Sequence, residues 1–118
     1  MPLTIELMTL AATNIDDMVK FYNAVFDANL EGEDTPMGMK IYNGVLAGIP
    51  LQVCPNSLAQ VDAKQNRQQF QFTVDDIEAS VQAALANGGT ELEPIRTAGD
   101  FKIASVLDPD GNSIVFKG

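Results

Sequence analysis

The chain has 118 residues, 46% of them hydrophobic and 19% charged, which fits one compact domain with a core and argues against global disorder. Sixteen acidic residues against seven basic ones give a net charge of −9, which disfavours binding to nucleic acid or to an anionic membrane surface. The chain has no histidine and one cysteine, so it contains no Ser-His-Asp or Cys-His catalytic set, no His-Glu-x-x-His zinc helix and no internal disulfide. No apolar run is long enough for a membrane span and no signal peptide is recognisable, so we expect a cytoplasmic protein.

The first quarter of the chain predicts a strand followed by a helix. Apolar residues alternate over residues 3–12, and they then recur at helical spacing over Ile15–Phe26. We expect the side chain of Thr13 or Asn14 to cap that helix. The acidic stretch at residues 29–36 predicts at most a short strand and a loop.

A hairpin follows, and Asn43-Gly44 is the pair of residues that most favours a two-residue turn. We predict its arms at residues 40–42 and 45–53. Gly48 and Pro50 interrupt the second arm and indicate a bulge or a sheet edge there. Residues 55–66 are polar and lack periodicity, so we interpret them as a connection between two halves.

The second half opens with strict alternation over residues 67–74, in which Phe70, Phe72 and Val74 share one face of a strand. Asp75-Asp76 begins a second predicted helix, and Asn87-Gly88-Gly89 ends it. Strands are predicted at residues 90–96, Phe101–Leu107 and Ser113–Lys117. The last two are joined by Asp108-Pro109-Asp110-Gly111-Asn112, in which proline presets φ and Gly111 permits a positive φ.

The two halves repeat one pattern. A shift of about 62 positions places Met8, Leu10 and Ala12 on Phe70, Phe72 and Val74, in keeping with a tandem repeat. We therefore predict an α+β fold of two βαβββ modules in tandem within a single domain over residues 1–118. Module 1 covers about residues 1–56, the connection about 55–66 and module 2 about 67–118.

This paired unit, closing on Asp108-Pro109-Asp110-Gly111-Asn112, resembles the vicinal oxygen chelate superfamily of glyoxalases, bleomycin-resistance proteins and extradiol dioxygenases. Val74-Asp75-Asp76-Ile77 and Phe21-Tyr22 are similar to the family as well. The resemblance implies a cup-shaped mixed sheet with helices on its outer face. One such fold carries unrelated activities, so the resemblance identifies the fold better than the function.

In metal-dependent members of that family, four positions on the cup faces of strands bind a divalent ion. Carried over one by one, these positions match Leu7, Gln69 and Val115, with a fourth near Gln52. Two of them are aliphatic, and amide oxygens alone are weak ligands. We therefore expect no metal and no cofactor, although a one-residue slip of the first strand would bring in Glu6.

Strand parity predicts the remaining cup lining, a mixed surface of amides, hydroxyls and aliphatic groups that suits a neutral or partly apolar small molecule. A solvated polar sheet face is the alternative. The candidate ligand-binding residues are Leu7, Thr9, Tyr42, Gln52, Cys54, Gln69, Gln71, Thr73, Ser113 and Val115.

Several of these side chains have a second interpretation. Cys54 is either a reactive thiol or a small buried hydrophobic residue, and Tyr42 either a ligand contact or a half-buried strand residue. Arg67 and Arg96 each either hold an anionic group or form surface ion pairs.

The first hypothesis for the function is a metal-free small-molecule binding protein of the bleomycin-resistance kind, for which the resemblance implies a homodimer. The alternative is a metal-independent isomerase or lyase that uses Glu6, Glu93, Asp100 or Tyr42 inside the cup. An assembly or regulatory module without a ligand is a third possibility, and metal-dependent glyoxalase or dioxygenase activity is the least favoured. No catalytic residue is assigned.

Overall fold

The computed structural model describes residues 4–60, 66 and 68–118, and they form the predicted unit twice. The first unit comprises β1 (Met8–Ala12), α1 (Ile15–Phe26), β2 (Glu31–Asp34), β3 (Lys40–Leu46) and β4 (Ile49–Pro55). A one-turn helix, α2 (Asn56–Ala59), follows it. The second unit comprises β5 (Phe70–Thr73), α3 (Ile77–Ala86), β6 (Thr90–Ala98), β7 (Phe101–Leu107) and β8 (Ser113–Lys117).

Each unit folds into a four-stranded mixed sheet of the same topology. The strand orders are β1-β4-β3-β2 in the first sheet and β5-β8-β7-β6 in the second. In both sheets the first strand is parallel to the last strand of its own unit, and the other pairs are antiparallel. The predicted α+β architecture of two βαβββ units is therefore confirmed.

One hydrophobic core joins the two units, and it lies on the helix side of each sheet. Met18, Phe21 and Tyr22 are buried on α1, as the helical spacing predicts. The ring of Phe26 stacks on Phe72 of β5 at a centroid distance of 4.4 Å. The first helix therefore packs on the second sheet, and the opposite face of each sheet is left outside the core. We call these two surfaces the open faces.

The hairpin of the first unit turns at a different place from the prediction. Ala47 (φ 50°) and Gly48 (φ 84°) form the turn, while Asn43 and Gly44 lie inside β3. A Cβ built on Gly44 would overlap the carbonyl oxygen of Ala28, and the neighbouring Val45 N–H donates to that oxygen at 2.8 Å. Gly44 is thus required for close approach of two backbone segments, and the Asn-Gly turn prediction is wrong.

The start of the first strand also differs from the prediction, because the described residues before Met8 lack a strand partner. β1 begins at Met8 instead of residue 3, because its pairing with β4 begins at Leu51. Pro50 comes just before that pairing, where β4 has β3 as a neighbour on one side, so its missing N–H is tolerated. The predicted strand residue Arg67 and most of the predicted connection lie outside the described residues.

The turn of residues 108–112 connects the two units through a buried carboxylate. Asp108 is 3% exposed and accepts hydrogen bonds from the Tyr22 hydroxyl (2.9 Å), the Asp110 N–H (3.0 Å) and both the N–H and side-chain amide of Asn112 (2.9 and 2.8 Å). Burial, together with the charge of Asp108, raises the pKa of Tyr22, so its hydroxyl remains a donor. Tyr22 and Asp108 therefore join the first helix to the last hairpin.

Asp110 of the same turn binds the backbone just before α1. Its carboxylate accepts from the backbone N–H groups of Thr13 (2.7 Å) and Asn14 (2.9 Å) and from the Asn14 side chain (3.1 Å). Asn14 occupies the N-cap position but makes no side-chain capping bond to the helix. In α3 the cap is local as predicted, since Asp76 accepts from the Ala79 N–H at 3.0 Å.

We predict that Tyr22→Phe destabilises the chain by about 2 kcal/mol, because it removes a buried hydrogen bond to a charged group. Tyr42→Phe is the matched control, since Tyr42 is half-buried and its hydroxyl has no partner among the described residues. Urea unfolding followed by far-ultraviolet circular dichroism measures both changes. Equal losses in the two variants would contradict the role given to the Tyr22–Asp108 bond.

The stability should also depend on pH through Asp108. Burial raises the pKa of Asp108 above its ordinary value of 3.8, against the opposing effect of its four hydrogen bonds. Just above pH 3.8 the folded chain therefore retains a proton that the unfolded chain releases, so stability declines as the pH rises through this window.

Asp108→Asn removes this titration and isolates it from the other acids of the chain. The unfolding free energy of the wild type relative to the variant should fall between about pH 3.5 and 6. Denaturant unfolding of both chains at several pH values measures the difference. A difference that stays constant or grows with pH would show that the carboxylate is favoured in its charged form.

Candidate functional site

The open face of the first sheet is polar. Strand register places Thr9 of β1 beside Gln52 of β4, and Gln52 beside Asn43 of β3. The side-chain amide of Asn43 donates to Glu33 at 3.1 Å, which positions both groups at the β2 edge. This face therefore presents hydrogen-bonding groups of both kinds, with amide donors and carboxylate acceptors.

The open face of the second sheet combines amides, hydroxyls and aliphatic groups. On β5 it carries Gln71 and Thr73, and Gln69 lies just before that strand; all three are exposed. The Gln69 side-chain amide donates to the Ser113 hydroxyl at 2.7 Å, and Gln71 lies beside Val115. On the other side of β8, the strands β7 and β6 add the residues Ile103, Ser105, Leu107, Glu93 and Arg96.

The structure brings most of the predicted lining residues to the two open faces. Strand register gives the positions of Thr9, Gln52 and Cys54 in the first sheet, and of Gln71, Thr73, Ser113 and Val115 in the second. Gln69 precedes β5 and is located by its hydrogen bond to Ser113. Two predicted residues are placed elsewhere. Leu7 precedes β1 and is 48% exposed, and Tyr42 pairs with Val53 and packs against the core.

The alternation of polar and apolar residues in the sequence did not identify every residue of the two open faces. Asn43 was assigned to a turn, so its place opposite Gln52 was hidden. In β7 the run from Ile103 to Leu107 is nearly all apolar, so alternation gives no sign of which face Ser105 takes. Ser105 is the polar residue of that run, and its polarity was the sequence signal that could have identified it as a site residue.

The titratable side chains singled out from the sequence lie in different parts of the structure. Glu93 pairs in register with Ser105 and is exposed at the β6 edge. Asp100 lies in the turn between β6 and β7, and Glu6 precedes β1. Cys54 is 2% exposed, and burial raises the pKa of its thiol above the ordinary value of 9.0. A buried, protonated thiol behaves as a small hydrophobic group.

The donor set does not fit a divalent ion of the kind bound by metal-dependent relatives. Of the positions that the resemblance carries over, Leu7 and Val115 have no donor atoms in their side chains, and Gln69 and Gln52 offer only neutral amide oxygens, which are weak ligands. Within the described ranges, no three His, Cys, Asp or Glu side chains are grouped so that they could hold a metal. No chemistry through a bound metal is therefore derived for this chain.

We predict that the thiol of Cys54 reacts with the disulfide reagent DTNB at least ~10-fold more slowly than a small free thiol at neutral pH. The reason is its low exposure together with its raised pKa. The chain has one cysteine, so absorbance at completion reports this site alone. The denatured chain should react at the ordinary rate. Fast labelling of the native chain would support the reactive-thiol interpretation instead.

Among the helices of the described residues, none is long and apolar enough to span a membrane. No curated protein matches this chain in sequence. Solved structures match its fold along nearly its whole length. A glyoxalase-related enzyme from Fulvimarina pelagi has a TM-score of 0.77 at 16% identity, covering 98% of this chain and 88% of that one.

Two further structures show the same fold. A glyoxalase/bleomycin resistance protein from Albidiferax ferrireducens T118 has a TM-score of 0.68 at 22% identity, covering 95% of each chain. TnmS3, an antibiotic binding protein from Streptomyces sp. CB03234, has a TM-score of 0.70 at 15% identity, covering 98% of this chain and 94% of that one. At these identities the likeness establishes the fold, not the ligand.

A family model covers residues 4–116, nearly the whole chain and both βαβββ units. The chain thus belongs to the Glyoxalase/Bleomycin resistance protein/Dioxygenase superfamily.

Proposed function

We propose that this protein binds a small organic molecule on its open faces without a metal ion and without turnover. The single observation that carries the proposal is the chemical character of these faces. They hold amide and hydroxyl groups beside aliphatic ones. Such surfaces orient neutral or partly apolar ligands through a few hydrogen bonds. The family resemblance matches two metal-binding positions of relatives to Leu7 and Val115, whose side chains have no donor atoms.

The family includes members with this kind of activity. TnmS3, which shares the fold, is described as an antibiotic binding protein. A binding function requires donors and acceptors held in fixed positions, and the Gln69–Ser113 and Asn43–Glu33 hydrogen bonds supply such order. Ser113, Asn43 and Glu33 lie on strands, which hold side chains more rigidly than loops do, and Gln69 directly precedes β5.

The alternative function is a metal-independent isomerase or lyase, and the position of Glu93 favours it. Glu93 was a sequence candidate for acid–base work and lies on the open face of the second sheet, next to Arg96 and Ser105. A carboxylate there would take a proton from a substrate that the arginine orients. Product formation by the wild type that Glu93→Gln abolishes would select this function over simple binding.

We further propose that the protein acts as a homodimer and in the cytoplasm. The dimer follows from the family resemblance, in which ligand pockets lie at the subunit contact. Light scattering after size-exclusion chromatography measures the mass directly, and a monomer at micromolar concentration would exclude the dimer.

The ligand hypothesis is tested by a thermal-shift screen with a broad metabolite library and a set of antibiotics. A ligand that binds the folded chain raises the melting temperature, and one present at 100 times its dissociation constant adds about 2.7 kcal/mol of stability. Elemental analysis of the purified protein should find no stoichiometric metal. An absence of hits throughout both collections would contradict the binding function.

For any hit, Gln71→Ala should weaken binding about three- to ten-fold by removing one hydrogen bond from the open face. Gln82→Ala is the matched control, because Gln82 is an exposed amide on α3, on the helix side of the same sheet. Isothermal titration measures both dissociation constants. Equal effects of the two variants would place the ligand elsewhere.

A further inference from the structure

One buried side chain on the open face of the second sheet lacks a partner. Ser105 is 7% exposed, and its hydroxyl makes no hydrogen bond to any part of the chain that the structure describes. An unpaired hydroxyl in a buried position costs about 1–3 kcal/mol. The neighbouring Ser113 differs, since its hydroxyl accepts from Gln69 at 2.7 Å.

Ser105 forms the floor of a small cavity, which we call the Ser105 recess. The recess has a volume of about 70 Å³ and is lined by Glu93, Arg96, Ile103, Ala104, Ser105 and Val115. In register, Ser105 lies between Val115 of β8 and Glu93 of β6. Pairing of β6 with β7 shifts on each side of Glu93, so the strand is irregular where it borders the recess. The volume suits one functional group of a larger ligand.

The charges around the recess restrict what that group can be. Arg96 makes no ion pair within the described ranges, where the recorded ion pair is Lys102–Glu78. Its guanidinium supplies donors only, the Ser105 hydroxyl can donate as well, and Glu93 supplies acceptors only. One positive and one negative group leave the recess without net charge. A neutral group with both an acceptor and a donor therefore meets no electrostatic conflict, whereas an anion faces Glu93 and a cation faces Arg96.

We propose that the Ser105 recess is a subsite for a neutral carboxamide-like group of the ligand, a proposal that rests on the binding function proposed above. The carbonyl oxygen accepts from the Ser105 hydroxyl and the Arg96 guanidinium, and the N–H donates to Glu93. The side chains of Ile103 and Val115 contact the apolar part that follows the amide. The ligand thereby satisfies the hydroxyl that the protein leaves unpaired.

Three probes of similar size and different head group test this assignment: benzamide, benzoate and benzylamine. Each is titrated into the ¹⁵N-labelled full chain, and backbone amide signals are followed by NMR. We expect benzamide to shift the signals of Ser105 and its strand neighbours at the lowest concentration, benzoate to bind more weakly and benzylamine weakest. Tighter binding of benzylamine or benzoate at these signals would overturn the neutral-group assignment.

Two serine variants separate the recess from the rest of the open face. Ser105→Ala should raise the dissociation constant of benzamide about three- to ten-fold, while Ser113→Ala leaves it within about two-fold. Arg96→Gln should weaken benzamide as Ser105→Ala does. Because Ser105→Ala removes an unpaired buried hydroxyl, its melting temperature should equal or exceed that of the wild type. A folded Ser105→Ala chain with unchanged affinity would overturn the proposal and leave an ordered water as the partner of the hydroxyl.

The benzamide titration and the library screen test the subsite and the general binding function separately. If the library screen yields ligands while benzamide leaves the Ser105 signals unmoved up to its solubility, the subsite is wrong and the binding function stands. If benzamide binds in a Ser105-dependent manner while the library yields nothing, the recess binds an amide group and the wider binding function is contradicted. Failure of both experiments overturns both proposals.

Discussion

The arrangement of the two units depends on one buried carboxylate. Asp108 loses hydration in the core region, and burial raises its pKa, yet four donors converge on it from Tyr22, Asp110 and Asn112. A charged acceptor forms stronger hydrogen bonds than a neutral one, so these contacts offset much of the desolvation cost. Because Tyr22 belongs to the first helix and Asp108 to the last hairpin, the bond connects one unit to the other beside the hydrophobic core that they share.

The fold could be predicted where a local signal and the tertiary contacts agree. Helical spacing of apolar residues from Ile15 to Phe26 predicted the limits of α1, and the turn at residues 108–112 predicted where β7 ends and β8 begins. Asn43-Gly44 shows the opposite case. Its preference for a turn is local, whereas the close approach of the Ala28 carbonyl requires glycine inside a strand. A sequence pattern carries no record of such a long-range contact.

The residues of the site could be predicted in strands whose polar and apolar residues alternate. Residues 67–74 alternate strictly, so Gln69, Gln71 and Thr73 were assigned one face, and strand register places Gln71 and Thr73 on the same face of the sheet. In β7 nearly every residue is apolar, because the strand lies in the interior of its sheet, between β8 and β6. The sequence then does not show which face of the sheet each residue of β7 takes, and Ser105 was not predicted as a site residue. The contact of Asp110 with the backbone before α1 could not be predicted either, since it joins residues that are far apart in the chain.

The contrast between Ser105 and Ser113 bears on how this scaffold can work without metal donors. Both hydroxyls lie on neighbouring strands of one open face, and the chain itself provides Gln69 as a partner for Ser113. For Ser105 the described chain provides none, although Arg96 and Glu93 border the same recess. A fold that satisfies one hydroxyl and leaves its neighbour buried and unpaired retains a cost that a bound group would remove. In the binding function proposed above, polar groups already held by strands would supply this binding energy and orient the ligand without a cation.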